Sequence, residues 1–150
     1  MRMPGRLHIT WQDDNTLKIE TDAGTQTRLL HFPSTSSGQA ASEGEPSWQG
    51  HSVAEWEPGP GRGPARTGNL KVVTTNLKPG YVRKNGAPYS AKTTVTEYFD
   101  RNTMPNGDAW FTVTTKVEDP VYSQRPYLTT TDFKKLPDAA GWNPTPCSAR

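Results

Sequence analysis

Twenty threonines, most of them in runs where apolar and polar residues alternate one by one, constrain this 150-residue chain more than any other feature. β-Branched side chains lose rotamer freedom in a helix and sit well on a pleated strand. No stretch of eleven or more residues places apolar side chains at i, i+3, i+4 and i+7, so the expected fold is all β. Residues 6–11 set Leu7, Ile9 and Trp11 on one face against His8 and Thr10 on the other. Leu17, Ile19 and Thr21 resume the alternation after Asp13, Asp14 and Asn15, and residues 25–32 complete a three-strand unit. Further strands are expected over 48–57, 69–77, 91–100, 109–118 and 127–134, with Asn106-Gly107 as the sharpest turn signal. Seven or eight strands joined mainly by hairpins predict an antiparallel meander. It would remove its edges by closing, as a lipocalin-like β-barrel in preference to a sandwich.

Leu, Ile, Val and Phe together make 22 of the 150 residues, below the roughly 20% at which disorder becomes a strong expectation. Fourteen aromatic residues and a net charge of only +2 oppose that reading, so the aromatic rings must carry much of the packing. The length fits one domain over 1–150. Segments 33–47 and 58–68, rich in Ser, Pro and Gly and without large apolar side chains, are expected as flexible loops, and 135–150 as an irregular tail. No run approaches the ~18 apolar residues of a membrane span, and no apolar stretch follows the first six residues as a secretory signal requires. One cysteine, Cys147, cannot form an internal disulfide.

The interior then decides function. An eight-stranded barrel either fills itself with side chains or encloses one small ligand. Inward faces containing Thr, Tyr, Trp, Glu and His would make a poor dry core, which favours a cavity holding water or ligand. Glu97 shares parity with Val95 and Phe99, so it is expected to point inward, where burial would suit it to acid–base work. The plainer alternative pairs it with an Arg or Lys on a neighbouring strand. Trp110, Tyr98, Glu97 and Trp56 are the candidate ligand-binding residues. A lyase or isomerase using Glu97 with His31 is the rival reading, and an extracellular or carbohydrate-contacting domain the third.

Other motifs point to less. His8, His31 and His51 lie on three expected strands without local metal spacing, so no metal is expected. Gly50-His51-Ser52-Val53-Ala54 has the outline of a nucleophile elbow but no helix after it. Residues 100–108 cluster oxygen donors without calcium-loop spacing, and a hairpin turn explains them better. The basic doublets Arg83-Lys84 and Lys134-Lys135 form no continuous stripe, so neither nucleic acid nor membrane is an expected partner. No cofactor motif is present.

An ordered set of segments carries a resemblance: 48–57 (Trp-Gln-Gly-His-Ser-Val-Ala-Glu-Trp-Glu), 70–75 (Leu-Lys-Val-Val-Thr-Thr), 85–90 (Asn-Gly-Ala-Pro-Tyr-Ser), 95–99 (Val-Thr-Glu-Tyr-Phe) and 117–120 (Val-Glu-Asp-Pro), then Arg125-Pro126-Tyr127. Over about half its length the chain resembles a group of uncharacterised bacterial exported proteins, a likeness that implies no particular activity. Tyr89 stands where those proteins have His, Tyr98 where they have Arg, and 57–68 replaces a short turn. The resemblance implies a periplasmic or extracellular setting, a start at Met1 internal to a longer chain, and a lost partner for Cys147.

Overall fold

The computed structural model describes residues 5–33, 44–57, 69–82 and 86–147. Eight strands form one sheet: β1 (Leu7–Asp13), β2 (Thr16–Thr21), β3 (Thr27–His31), β4 (His51–Glu57), β5 (Asn69–Thr75), β8 (Thr94–Thr103), β9 (Ala109–Glu118) and β10 (Tyr127–Lys134), adjacent in that order. Two short strands, β6 (Gly80–Tyr81) and β7 (Pro88–Tyr89), make a separate hairpin between β5 and β8. The sheet curls into a half-barrel.

All neighbours are antiparallel except β3 and β4, which run parallel through Leu30 opposite Ser52 and His31 opposite Val53. This departs from the expected meander. Parallel neighbours cannot be joined by a tight turn, and the connection here passes through residues 34–43, outside the described residues along with expected loop 58–68 and Arg83-Lys84. The near end of the first expected loop is tied down: Ser47 N donates to Asn76 O and Ser47 O accepts from Lys78 N.

Register assigns every strand residue to a face, because paired residues project to the same side. One face carries Ile9, Leu17, Ile19, Leu30, Ala54, Leu70, Val72, Phe99, Phe111, Val113 and Phe133, including most of the buried core. The other is polar and laced with ion pairs, Lys18 to Glu20, Lys71 to Glu55 and Glu57, Lys116 to Glu118, with His8 Nδ1 3.4 Å from Glu20. The interior is mixed, as the threonine count implied: Thr21, Thr74 and Thr115 are buried on this same face beside Arg28, Ser52 and Glu97. Thr10, Thr94, Thr114 and Thr130 lie outside, where a hydroxyl can keep its water, as does Thr112, which donates to Asp132.

The hairpin of β8 and β9 follows from Asn106-Gly107: Gly107 adopts φ +84°, Gly107 N donates to Met104 O, and Met104 N donates to Asp108 O. At the other end of β9, Asp119 accepts from Ser90 N, Thr93 Oγ1, Val121 N and Tyr122 N. Burial alone would raise this carboxyl, but the hydrogen bonds from Thr93, Ser90 and Tyr122 outweigh it and hold it well below the usual carboxylate range. The irregular tail after β10 then crosses to the opposite edge. Trp142 meets His8 edge-on at 5.7 Å, Thr145 N donates to Asp22 O, and Gly24 N donates to Thr145 O. Cys147 ends beside Gly24 as an exposed free thiol.

Candidate functional site

Two features occupy the inner face. Deep in the curl, Arg28 of β3 reaches past β4 and β5 to Glu97 of β8, Nη2 to Oε2 at 2.5 Å, with side-chain exposures of 8% and 1%. Three strand spacings separate these backbones, roughly 14 Å along a sheet, so the contact spans the concavity. Arg28 also donates to Ser52 Oγ at 3.2 Å and Thr74 Oγ1 at 2.7 Å, and the two hydroxyls share a 2.8 Å hydrogen bond. Glu97 Oε2 meets no donor at a hydrogen-bonding angle among the described residues, so charge rather than direction holds the pair. Ser52 is buried within a strand and hydrogen-bonded, not exposed on an elbow.

Toward the other end of the half-barrel lies an open trough of about 1280 Å³. Its floor is Leu17, Ile19 and Leu70, its walls include Ile9, Trp56, Phe99, Phe111 and Phe133, and the tail from Lys135 to Trp142 passes along it. Two aromatic ladders follow from the same register. Trp11, Phe32 and Trp56 succeed one another at centroid distances of 5.3 and 6.0 Å. Phe99, Phe111 and Phe133 do so at 6.2 and 5.0 Å. Leu70, paired with both Trp56 and Phe99, connects the two. Trp11 and Trp56 remain 54% and 59% exposed, although both lie on the face that elsewhere forms the core.

The candidate residues named from sequence separate accordingly. Glu97 points inward as parity predicts, and its partner is the Arg that the plainer alternative required, two strands further away than expected. It lines no part of the trough. Trp56 does. Trp110 borders the trough at its outer rim, beneath Lys134 Nζ at 5.9 Å, while its register partner Asn102 places it on the opposite face from Glu97. Tyr98, next to Glu97 in an extended strand, also projects outward. His31 lies on the outer face and stacks on His51 at 5.2 Å with planes 12° apart. Burial and the facing His51 lower its pKa, and Asp13 partly offsets them. His31 and Glu97 therefore stand on opposite sides of the sheet and share no reacting atom. Among the described residues no three His, Cys, Asp or Glu side chains are grouped to hold a metal ion, and no helix is long and apolar enough to cross a membrane.

Sequence reasoning missed Arg28 and the phenylalanine ladder. Both had a signal: Arg28 shares parity with Leu30, and Phe111 shares parity with Ala109, Val113 and Val117, with Phe133 opposite it in register. Comparison of the chain with protein-family models, curated proteins and solved structures gives no match.

Proposed function

We propose that this protein is a small-molecule-binding module, used as a lipocalin-like barrel uses its interior, with the apolar or aromatic body of an organic ligand lying in the trough. The carrying observation is the trough itself: an open volume walled by the half-buried ladder of Phe99, Phe111 and Phe133 and by Trp56, which stays 59% exposed. Large apolar surface rimmed by polar groups is unfavourable to leave in water and marks sites that something covers. Flat rings at 5–6 Å intervals offer stacking surface with little rotamer entropy to lose. An acid–base enzyme has less support, because Glu97 is held by Arg28 away from the trough and from His31. An exported setting rests on the family resemblance alone.

The test uses N-phenyl-1-naphthylamine, a neutral apolar fluorophore. The expected result is saturable binding of one probe per chain, with quenching of tryptophan emission. Trp56→Ala, which removes an exposed ring, should weaken binding about fivefold or more, and Trp48→Ala, outside the trough, should leave it unchanged. Absence of saturable binding by a cooperatively folded sample, or equal binding by both variants, overturns the proposal. Displacement of the probe by soluble oligosaccharides alone would move the reading to a carbohydrate-contacting domain.

A further inference from the structure

The inner face of the sheet carries three charged side chains among its described strand residues: Arg28, Glu97 and Arg101. Arg28 and Glu97 neutralise each other in the curl. Arg101 does not share in this. It follows Phe99 by two residues on β8, lies opposite Phe111 in register, borders the trough and forms no ion pair among the described residues. The other basic side chains at the rim are already engaged in part: Arg6 lies 3.7 Å from Asp22, and Lys134 lies 2.6 Å from Asp108. Two carboxylates also border the trough and keep their negative charge, Asp132 accepting from Thr112 Oγ1 and projecting from the outer face, and Asp138 accepting from Ala140 N in the tail. Lys135, beside the trough at the foot of the tail, forms no ion pair among the described residues and adds positive charge.

A cation on an otherwise apolar wall loses hydration when a ligand covers that wall, and an anion on the ligand restores what is lost. A guanidinium also offers a planar fork of donors that matches a carboxylate or sulfonate better than an ammonium does. We infer that the trough selects amphipathic organic anions: an aromatic or aliphatic body against Phe99, Phe111 and Phe133, and an acid group at Arg101. This rests on the reading of the trough as a ligand site and adds the ligand's charge and orientation.

The matched probes are N-phenyl-1-naphthylamine and 8-anilinonaphthalene-1-sulfonate, which share a ring system and differ by the sulfonate. The sulfonate probe should bind wild type roughly tenfold more tightly than the neutral one at low salt, and the difference should shrink in 0.5 M salt. Arg101→Gln should remove most of the preference, Lys135 keeping a small remainder, while leaving affinity for the neutral probe unchanged, and Arg125→Gln, away from the trough, should alter neither. Arg101 is exposed, so the variant is expected to fold, which the unchanged unfolding midpoint will establish. If the neutral probe binds and the sulfonate brings no gain, or most of the gain survives in Arg101→Gln, the inference is overturned and the trough reading stands. If the neutral probe itself fails to bind, the trough reading falls first.

Discussion

Cutting the Arg28–Glu97 contact from one side is the sharpest test of how the curl is held. Arg28→Met leaves a carboxylate with 1% exposure among Val72, Val95 and Thr115, without its counter-charge. Glu97→Leu leaves a guanidinium with only the Ser52 and Thr74 hydroxyls for company. Removing one member of a buried pair typically costs about 3–5 kcal/mol, and a chain of this size loses roughly 2–4 °C of Tm per kcal/mol. Each single variant should therefore melt roughly 6–20 °C below wild type. The double variant should recover much of this, because two apolar side chains fill the space without stranding a charge. Urea denaturation at pH 7 of wild type, both singles and the double supplies the cycle. Coupling of at least about 2 kcal/mol is expected. Single losses under about 1 kcal/mol, or losses that add within about 0.5 kcal/mol, would show that the two groups do not meet in the folded protein.

Asp119 has a folded-state pKa depressed below its ordinary 3.8, so its stabilisation is complete above about pH 4 and is lost as pH falls toward the folded value. Acid titration of the unfolding midpoint should fall more steeply in wild type than in Asp119→Asn, which should be less stable at pH 7. His31 is lowered from 6.5, so the unfolded chain takes up protons more readily, and stability should decline from about pH 6.5 downward. His31→Gln should flatten that slope, as urea midpoints at pH 7.5 and 5.5 will show. Gly50 adopts φ +64°, and a Cβ there would lie 2.8 Å from Thr74 Cγ2 besides meeting Thr75 O. Gly50→Ala should cost at least roughly 1–3 kcal/mol by the same denaturation. Trp142→Ala should release the tail from His8, seen as faster protease cleavage within 135–147 with the sheet's unfolding midpoint little changed.

Strand positions were the most legible part of the fold, because alternation is a local property. Residues 109–118 and 127–134 match β9 and β10 residue for residue, and the inward direction of Glu97 followed from its parity with Val95 and Phe99. Parity also forbids Tyr98 from sharing a cavity with Glu97, and it sets Trp110 apart from Phe111. What local pattern could not reveal was partnership. Leu30 lies beside Ser52 in parallel through a long connection, and nothing within either segment encodes that choice. Nor does a two-residue strand such as Pro88–Tyr89 leave any periodicity to detect. Arg28 meets Glu97 only because the sheet bends, and bending is a property of the whole array.

The crossing of the tail from β10 to Asp22 and Gly24 gives the molecule something like a bowstring. The edge strands share no ladder among the described residues, so their separation is governed by how much chain spans the gap and by the anchors at Trp142 and Thr145. Lengthening or shortening that span by a residue or two would change the calibre of the opening while leaving every rung of the sheet in place. The calibre of the proposed ligand trough and the stability of the sheet are thereby set by different parts of the chain.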